Sequence, residues 1–181
     1  PLNLGHVNVE FANLTFETAS GNTDYIVDEF TITQGSVIFT DCDFLCTNGS
    51  VGNYFRPRFK SYTFYNCSFV QGDTSTLLFR FEQSTNAVNY FFGCDFDGVV
   101  SHFASGLLQN YFFNCTFSSS ANSGAYYGTL RFNTGSYKDY FYGCYVENDQ
   151  VTGYPVWLNG GVTAPADFSG CHFVSASSYD V

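Results

Sequence analysis

A six-residue phrase recurs seven times along this chain: Phe, any residue, a turn-forming residue, Cys or Leu, any residue, then Phe or Val. The first residues of successive copies are separated by 28, 25, 27, 21, 29 and 27 positions. A recurrence of this period is typical of a solenoid, because a unit of this size cannot bury its apolar face alone and must stack on its neighbours. The copies are 11–16, 39–44, 64–69, 91–96, 112–117, 141–146 and 168–173.

The third position of the phrase is always Asn, Asp or Gly, the residue types that adopt positive φ at low cost. We therefore interpret each copy as a strand, a tight bend and a second strand. After the bend, the Cys and the final Phe are two positions apart, so their side chains share the inner face, and the residue between them points outward. The predicted bend residues are Asn13, Asp41, Asn66, Gly93, Asn114, Gly143 and Gly170.

A further apolar segment after the phrase predicts a third strand in most units. These segments are 55–59, 77–81, 106–108, 130–132 and 156–158. Two strands around a bend and a third after a variable loop make one coil of about 26 residues. The sequence therefore predicts an all-β fold, a single-stranded parallel β-helix of about seven coils, formed as one domain by residues 1–181. With coils about 4.8 Å apart, the rod would be about 34 Å long.

The bend Asn in FYNCSF and FFNCTF resembles the asparagine ladder of the right-handed parallel β-helix superfamily. That superfamily includes pectate-lyase-like enzymes, phage tailspikes and adhesin-type repeats. The resemblance covers nearly the whole chain and implies a right-handed helix. It implies no particular activity, because folds of this kind carry many unrelated functions.

Six of the seven cysteines occupy one column of the phrase, which Leu14 occupies in the first copy. A position that accepts Leu is a packing position, and ligands in one stacked row cannot surround a metal ion tetrahedrally. The sequence predicts a buried stack of thiols, with no metal and no cofactor. Disulfides between adjacent coils fit the Cα spacing, although parallel side chains suit the required dihedral poorly. Cys46 lies outside the column, either as a loop thiol or as a cross-link to another chain.

The net charge limits which kinds of macromolecule the chain is expected to bind. Sixteen acidic residues against six Lys and Arg give a net charge of −10. Nucleic acids and anionic membranes bind basic surfaces, so neither is an expected partner, and the charge favours solubility. No stretch has the roughly 18 continuous apolar residues that membrane insertion needs. The chain starts at Pro1 rather than Met, as a processed secreted protein would, and we expect an extracellular or cell-surface location.

Complete catalytic motifs are not found in the sequence. Asn22-Thr23-Asp24 matches the first acidic motif of polygalacturonases, but the paired-aspartate, Gly-His-Gly and Arg-x-Lys motifs of that family are missing. Asp41 with Asp43, or Asp95 with Asp97, could form an acid–base pair, yet solvated turn carboxylates explain them more simply. The three His residues, at positions 6, 102 and 172, have no metal-ligand spacing. We expect no enzyme activity.

Of four sequons, only the one at Asn48 lies in a loop-like run and is a glycosylation candidate.

Aromatic residues flank the repeated Phe, and alternation along a strand forces them onto the outer face. A contiguous apolar surface usually marks a binding site, for another subunit or for sugar rings, unless loops of the same chain cover it. The candidate interface residues are Tyr65, Tyr90, Phe92, Tyr111, Phe113, Tyr140 and Tyr142. Arg58, Arg80 and Arg131 each precede a Phe of the third strand and are added as candidates for contact with acidic groups.

Neither end of the repeat shows an obvious polar or helical cap, and uncapped solenoid ends invite strand pairing. The chain is therefore either cut from a longer solenoid or stacks end to end on copies of itself. Our first hypothesis is a non-catalytic extracellular structural protein that self-associates into a filament or surface appendage. The alternative is a carbohydrate-binding adhesin module or a polysaccharide hydrolase or lyase, with polysaccharide as the partner. An ice-binding surface is disfavoured because Thr15 and Thr116 are too sparse for a regular array.

Overall fold

The computed structural model describes residues 8–18, 27–28, 35–46, 55–56, 61–71, 77–82, 88–103, 109–119, 128–132, 138–150, 153–158 and 166–176. These residues form twenty short strands. Within those ranges, no helix has the length and apolar character that crossing a membrane requires. In chain order the strands are β1 Val9–Ala12, β2 Thr15–Thr18, β3 Val27–Asp28, β4 Ser36–Thr40, β5 Asp43–Cys46, β6 Phe55–Arg56, β7 Ser61–Tyr65, β8 Ser68–Gln71, β9 Leu77–Glu82, β10 Val88–Phe92, β11 Asp95–Asp97, β12 Val99–Phe103, β13 Gln109–Phe113, β14 Thr116–Ser119, β15 Gly128–Phe132, β16 Lys138–Tyr142, β17 Tyr145–Asn148, β18 Tyr154–Leu158, β19 Asp167–Ser169 and β20 His172–Ser175.

The strands form parallel sheets whose neighbours come from consecutive coils. The first sheet has the order β1-β4-β7-β10-β13-β16-β19, and the second has the order β2-β5-β8-β11-β14-β17-β20. The third has the order β18-β15-β12-β9, and β3 pairs with β6 in a two-stranded sheet. The chain thus passes from the first sheet around a bend to the second and on to the third, as a β-solenoid does. The predicted all-β parallel β-helix is confirmed, whereas its right-handed winding and the superfamily stay predictions.

The bend between the first and second sheets has the backbone conformation that its residue types predict. All seven bend residues have φ between 50° and 64°. The ladder of backbone hydrogen bonds continues through the bend, since Asn66 N–H donates to the Phe92 carbonyl at 2.8 Å, and Asp95 N–H to the Cys67 carbonyl at 3.0 Å. The bend therefore leaves the stacking of the coils uninterrupted.

Two columns of stacked phenylalanine rings fill the interior. Along the first sheet, the rings from Phe11 to Phe168 stack with centroids 4.7 to 5.2 Å apart. Along the second sheet, the rings from Phe16 to Phe117 stack at 4.6 to 5.1 Å. The columns meet edge to face, as between Phe91 and Phe96 at 5.6 Å. Both arrangements are favourable for aromatic pairs, so the strand spacing and the ring packing reinforce each other.

The cysteine column lies between the two phenylalanine columns, at the inside of the bend. Its thiols are free, and all are buried except that of Cys171, which is half-buried. Each thiol lies near two backbone carbonyls; that of Cys115 is 3.5 Å from the oxygens of both Phe91 and Phe113. The column therefore packs as the sequence predicts, and Cys fits here as a small apolar residue with a weak donor. The side chain of Cys46 lies outside the described residues.

The third strands differ most from the sequence prediction. The predicted segment 106–108 lies outside the described residues. The strand that this coil contributes to the third sheet is Val99–Phe103. This strand follows the second strand directly through Gly98, and Val100 pairs with Leu130. The position predicted for that strand is wrong because this unit, with the shortest spacing of 21 residues, has no loop before its third strand. The described strands β9, β15 and β18 do include the predicted segments.

Candidate functional site

The outer face of the first sheet carries two columns of aromatic rings, which together contain all seven aromatic candidates. In one column, Tyr90 stacks on Tyr111 with centroids 5.3 Å apart, and Tyr111 stacks on Tyr140 at 4.6 Å. The parallel register produces these stacks, because it places equivalent positions of successive coils side by side. The other column runs Tyr65, Phe92, Phe113, Tyr142, at 5.0, 4.9 and 5.1 Å. We call these seven residues the aromatic face.

The rings of the aromatic face present their edges, rather than their faces, to solvent. Their planes are within 19° of parallel along each column, so that each ring covers the face of the next. Tyr65 and Tyr90, at the start of the two columns, are 40% and 37% exposed. A sugar ring stacks on an open aromatic face, whereas a ring edge suits the face of another aromatic group. This geometry favours a protein partner over a sugar for most of the surface.

Polar groups border the aromatic face at its Tyr140 end. The Tyr111 hydroxyl donates to Gln109 Oε1 at 3.3 Å, and Lys138 Nζ lies 4.9 Å from the centroid of the Tyr140 ring. Burial among its neighbours raises the pKa of Tyr111, so its phenol is neutral at physiological pH. A hydrogen bond with Tyr140 raises the pKa of Lys138, which keeps its positive charge. This end of the aromatic face therefore carries a cation, Lys138, and next to Tyr140 in the register a carboxylate, Asp167.

Two of the arginine candidates, Arg80 and Arg131, lie on the third sheet, away from the aromatic face. Arg131 is half-buried, and its neighbours Leu130 and Phe132 point into the core, so that its side chain points outward. In the backbone register, Ser101 stands between Arg80 and Arg131. The two arginines therefore share a column without being adjacent. Arg58 and the glycosylation candidate Asn48 lie outside the described residues.

A groove of about 180 Å³ with acidic walls lies where the second sheet turns toward the third. It is lined by Asp97, Ser118, Ser119, Glu147 and Asp149. Burial, with a smaller effect of the Asp149 charge, raises the pKa of Asp97. Within the described residues, no group of three or more His, Cys, Asp or Glu side chains is arranged to hold a metal ion. The sequence pairs Asp97 with Asp95 but gives no sign of the groove, because Glu147 and Asp149 come from another coil.

A ladder of polar side chains is buried inside the first sheet, and sequence reasoning missed it. Asn89 Nδ2 donates to Asn110 Oδ1 at 2.9 Å, and Asn110 Nδ2 donates to Asp139 Oδ1 at 2.6 Å. The Tyr62 backbone N–H donates to Asn89 Oδ1 at 3.2 Å. All four side chains are fully buried. The signal was present, since these residues stand two positions before the buried Phe and so share its inward direction.

The terminal coils expose core columns that are covered elsewhere. Leu14 is 44% exposed, whereas Cys67 in the same column is 1% exposed. Phe173 is 43% exposed, whereas Phe117 in its column is buried. Within the described part of the chain, β1, β2, β19 and β20 are each paired along one edge only. Both ends thus combine apolar side chains with an open strand edge.

The fold and these surfaces define the class of the protein, a parallel β-solenoid with an aromatic outer face. No family model, curated protein or solved structure matches the chain.

Proposed function

We propose that this chain is a non-catalytic structural subunit whose copies stack end to end into a filament or surface appendage outside the cell. The observation that carries the proposal is the match between the two ends of the rod. At one end the open columns hold Phe11, Leu14 and Phe16, and at the other they hold Phe168, Cys171 and Phe173. These are equivalent positions of the same phrase, so one copy can continue the columns of another at the spacing used inside the chain.

Such a contact joins two different surfaces of the same molecule. After every addition, the assembly still has one free β1 end and one free β19 end. A contact of this type gives an open fibre, unless the rotation between successive copies closes a ring. The apolar columns supply the favourable free energy, and the open strand edges supply directional backbone hydrogen bonds. The partner that the ends support is therefore a second copy of this chain.

The aromatic face is too small to hold two copies together alone. It spans four coils, which at about 4.8 Å per coil is roughly 20 Å, and two columns of rings are about 10 Å wide. The resulting area of roughly 200 Å² is about a quarter of the 800 Å² per partner of a standard interface. We therefore assign it to side-by-side contact between filaments, where many weak contacts add up.

The carbohydrate-binding alternative has less support. A site for binding or cleaving an acidic polysaccharide would bring carboxylates, arginines and tyrosines together. Among the described residues, the acidic groove lies on the second sheet, Arg80 and Arg131 lie on the third, and the tyrosines of the aromatic face lie on the first, where Asp167 is the carboxylate next to Tyr140. A polysaccharide-binding panel on the monomer tests this alternative directly.

End-to-end stacking can be tested with variants that block one end each. Leu14→Lys places a charge at one end of the rod, and Phe173→Lys places a charge at the other. We expect fibres of the unaltered chain by electron microscopy, and only monomers of either variant by analytical ultracentrifugation. Since each variant keeps one intact end, an equal mixture of the two should form heterodimers and stop there.

The matched control is Glu17→Lys, which changes the charge of an exposed side chain on the flank of the first coil. This variant should still form fibres. Monomers of the unaltered chain at every concentration, or fibres of both end variants, would overturn the proposal.

A further inference from the structure

Three tyrosines follow one another in the first column of the aromatic face. The Tyr111 and Tyr140 rings are the closest, with centroids 4.6 Å apart and planes 5° from parallel. Tyr90 and Tyr111 are 5.3 Å apart with planes at 19°. The second column differs, because Phe92 and Phe113 separate its two tyrosines, Tyr65 and Tyr142. Of the two columns, only the first therefore stacks one phenol on the next, while Tyr140 and Tyr142 of the same strand lie 6.4 Å apart between the columns.

The reactive part of each phenol faces solvent. Side chains stand roughly perpendicular to a sheet, so the hydroxyl and the two ring carbons next to it form the outer end of each tyrosine. The Tyr111 hydroxyl donates to the half-buried Gln109 of the same strand, Lys138 Nζ lies 4.9 Å from the centroid of the Tyr140 ring, and both tyrosines are partly exposed. A one-electron oxidant can thus reach the phenols without any opening of the core.

We propose that Tyr111 and Tyr140 are a site of oxidative cross-linking, where a peroxidase-type oxidant joins the two rings as dityrosine. Each phenol loses one electron and one proton, and the two phenoxyl radicals form a carbon–carbon bond between ring carbons adjacent to the oxygens. The two ring hydrogens at those carbons then move to the oxygens, which restores both phenols. One hydrogen peroxide accepts the two electrons and two protons and leaves as two molecules of water.

The fold supplies the proximity that this coupling needs. Two groups held in contact react as if at very high concentration, whereas radicals on separate chains must meet by diffusion. The bond links neighbouring coils of one chain, and therefore it does not depend on the proposed filament. It would fasten β13 to β16, and copies packed through their aromatic faces could be joined by the same chemistry.

The test is oxidation of the dilute monomer with a plant peroxidase and hydrogen peroxide. Trypsin cleaves after Arg80, Arg131 and Lys138, so the cross-link joins peptide 81–131 to peptide 139–181. We expect the intact chain to lose the mass of two hydrogens, dityrosine fluorescence to appear, and the joined peptide to be found by mass spectrometry. Unfolding the chain in urea before oxidation should reduce the joined peptide by about tenfold or more, since the rings are no longer held together.

Conservative variants locate the bond. Tyr140→Phe keeps the ring stack and should abolish the joined peptide. Tyr154→Phe and Tyr142→Phe remove other tyrosines of the same peptide, the first of them 38% exposed, and should leave its yield unchanged. Joined peptide that persists in Tyr140→Phe, products that link only separate chains, or no coupling of the folded monomer would each refute the proposal.

Discussion

Gly143→Ala is the substitution whose cost can best be worked out from the structure. Gly143 has φ of +63°, a conformation that costs an L-residue about 1–2 kcal/mol. A Cβ at this position would also lie 2.7 Å from Asn114 Oδ1 in the coil below. The Asn114 side chain must turn away, and an off-rotamer side chain costs about 0.5–1.5 kcal/mol. The two terms together predict a loss of about 1.5–3.5 kcal/mol.

Urea unfolding followed by circular dichroism measures this loss. With a slope of about 2 kcal/mol per molar urea for a chain of this size, the midpoint should fall by about 1 M. Gly170→Ala is the matched comparison, because its φ of +64° is the same but the nearest atom to the new Cβ is 4.0 Å away. It should show the backbone term alone.

A double-mutant cycle separates the backbone term from the clash. Asn114→Gly removes Oδ1 and keeps a residue that adopts positive φ freely. In this background, the cost of Gly143→Ala should fall by about 0.5–1.5 kcal/mol, the coupling expected for two residues in contact. An equal cost in both backgrounds would refute the claim that the bend glycine makes room for the side chain below it.

Three further substitutions test two buried groups and one exposed carboxylate. Asn110→Leu should lower the unfolding free energy by about 3 kcal/mol or more in urea unfolding, because it removes the hydrogen bonds to Asn89 Nδ2 and Asp139 Oδ1. Replacing Asn89, Asn110 and Asp139 together by Leu should recover much of the loss. No recovery would contradict this account. Burial raises the pKa of Cys115 in the folded chain, whereas an unfolded thiol ionises near pH 8.5. The contribution of Cys115 to the unfolding free energy is therefore complete below about pH 8.5 and falls by about 1.4 kcal/mol per pH unit above it. Cys115→Ala should therefore flatten the alkaline fall in unfolding free energy, and an unchanged slope would count against it. The pKa of Asp97 is higher in the folded chain than in the unfolded chain, where it is near 4. The stabilisation that this difference supplies is complete below about pH 4 and is lost as the pH rises. Asp97→Asn should therefore gain stability relative to the unaltered chain between pH 4 and 6. A constant difference over that range would contradict the assignment.

The sequence predicted those parts of the fold that depend on one residue type at one repeated position. Asn, Asp or Gly at the bend identified the positive φ, and Phe11 and its equivalents identified the inner face. Once the inner face was known, alternation alone placed Tyr90, Tyr111 and Tyr140 together on the outer face. The stacking of their rings follows from the in-register pairing, which the repeat also predicted.

The rest required distances between coils. Alternation from the buried Phe places Asn89 and Asp139 inside, but their hydrogen bonds with Asn110, which explain how polar side chains can be buried there, appear only in the structure. The acidic groove brings Asp97 beside Asp149, which depends on the corner after the second sheet and on no repeated motif. The strand Val99–Phe103 depends on a loop length that periodicity does not determine.

The direction of the backbone hydrogen bonds determines how the rod responds to a mechanical load. Strands lie across the rod, so bonds such as that from Gly143 N–H to the Ser169 carbonyl run along its axis. A pull between the β1 end and the β19 end loads successive coils in series, and the outermost coil opens first. Each detached coil frees about 90 Å of chain, at about 3.4 Å per residue, while the rod shortens by about 4.8 Å. Under tension the rod is therefore expected to extend in steps of one coil, which limits the peak force that it can carry.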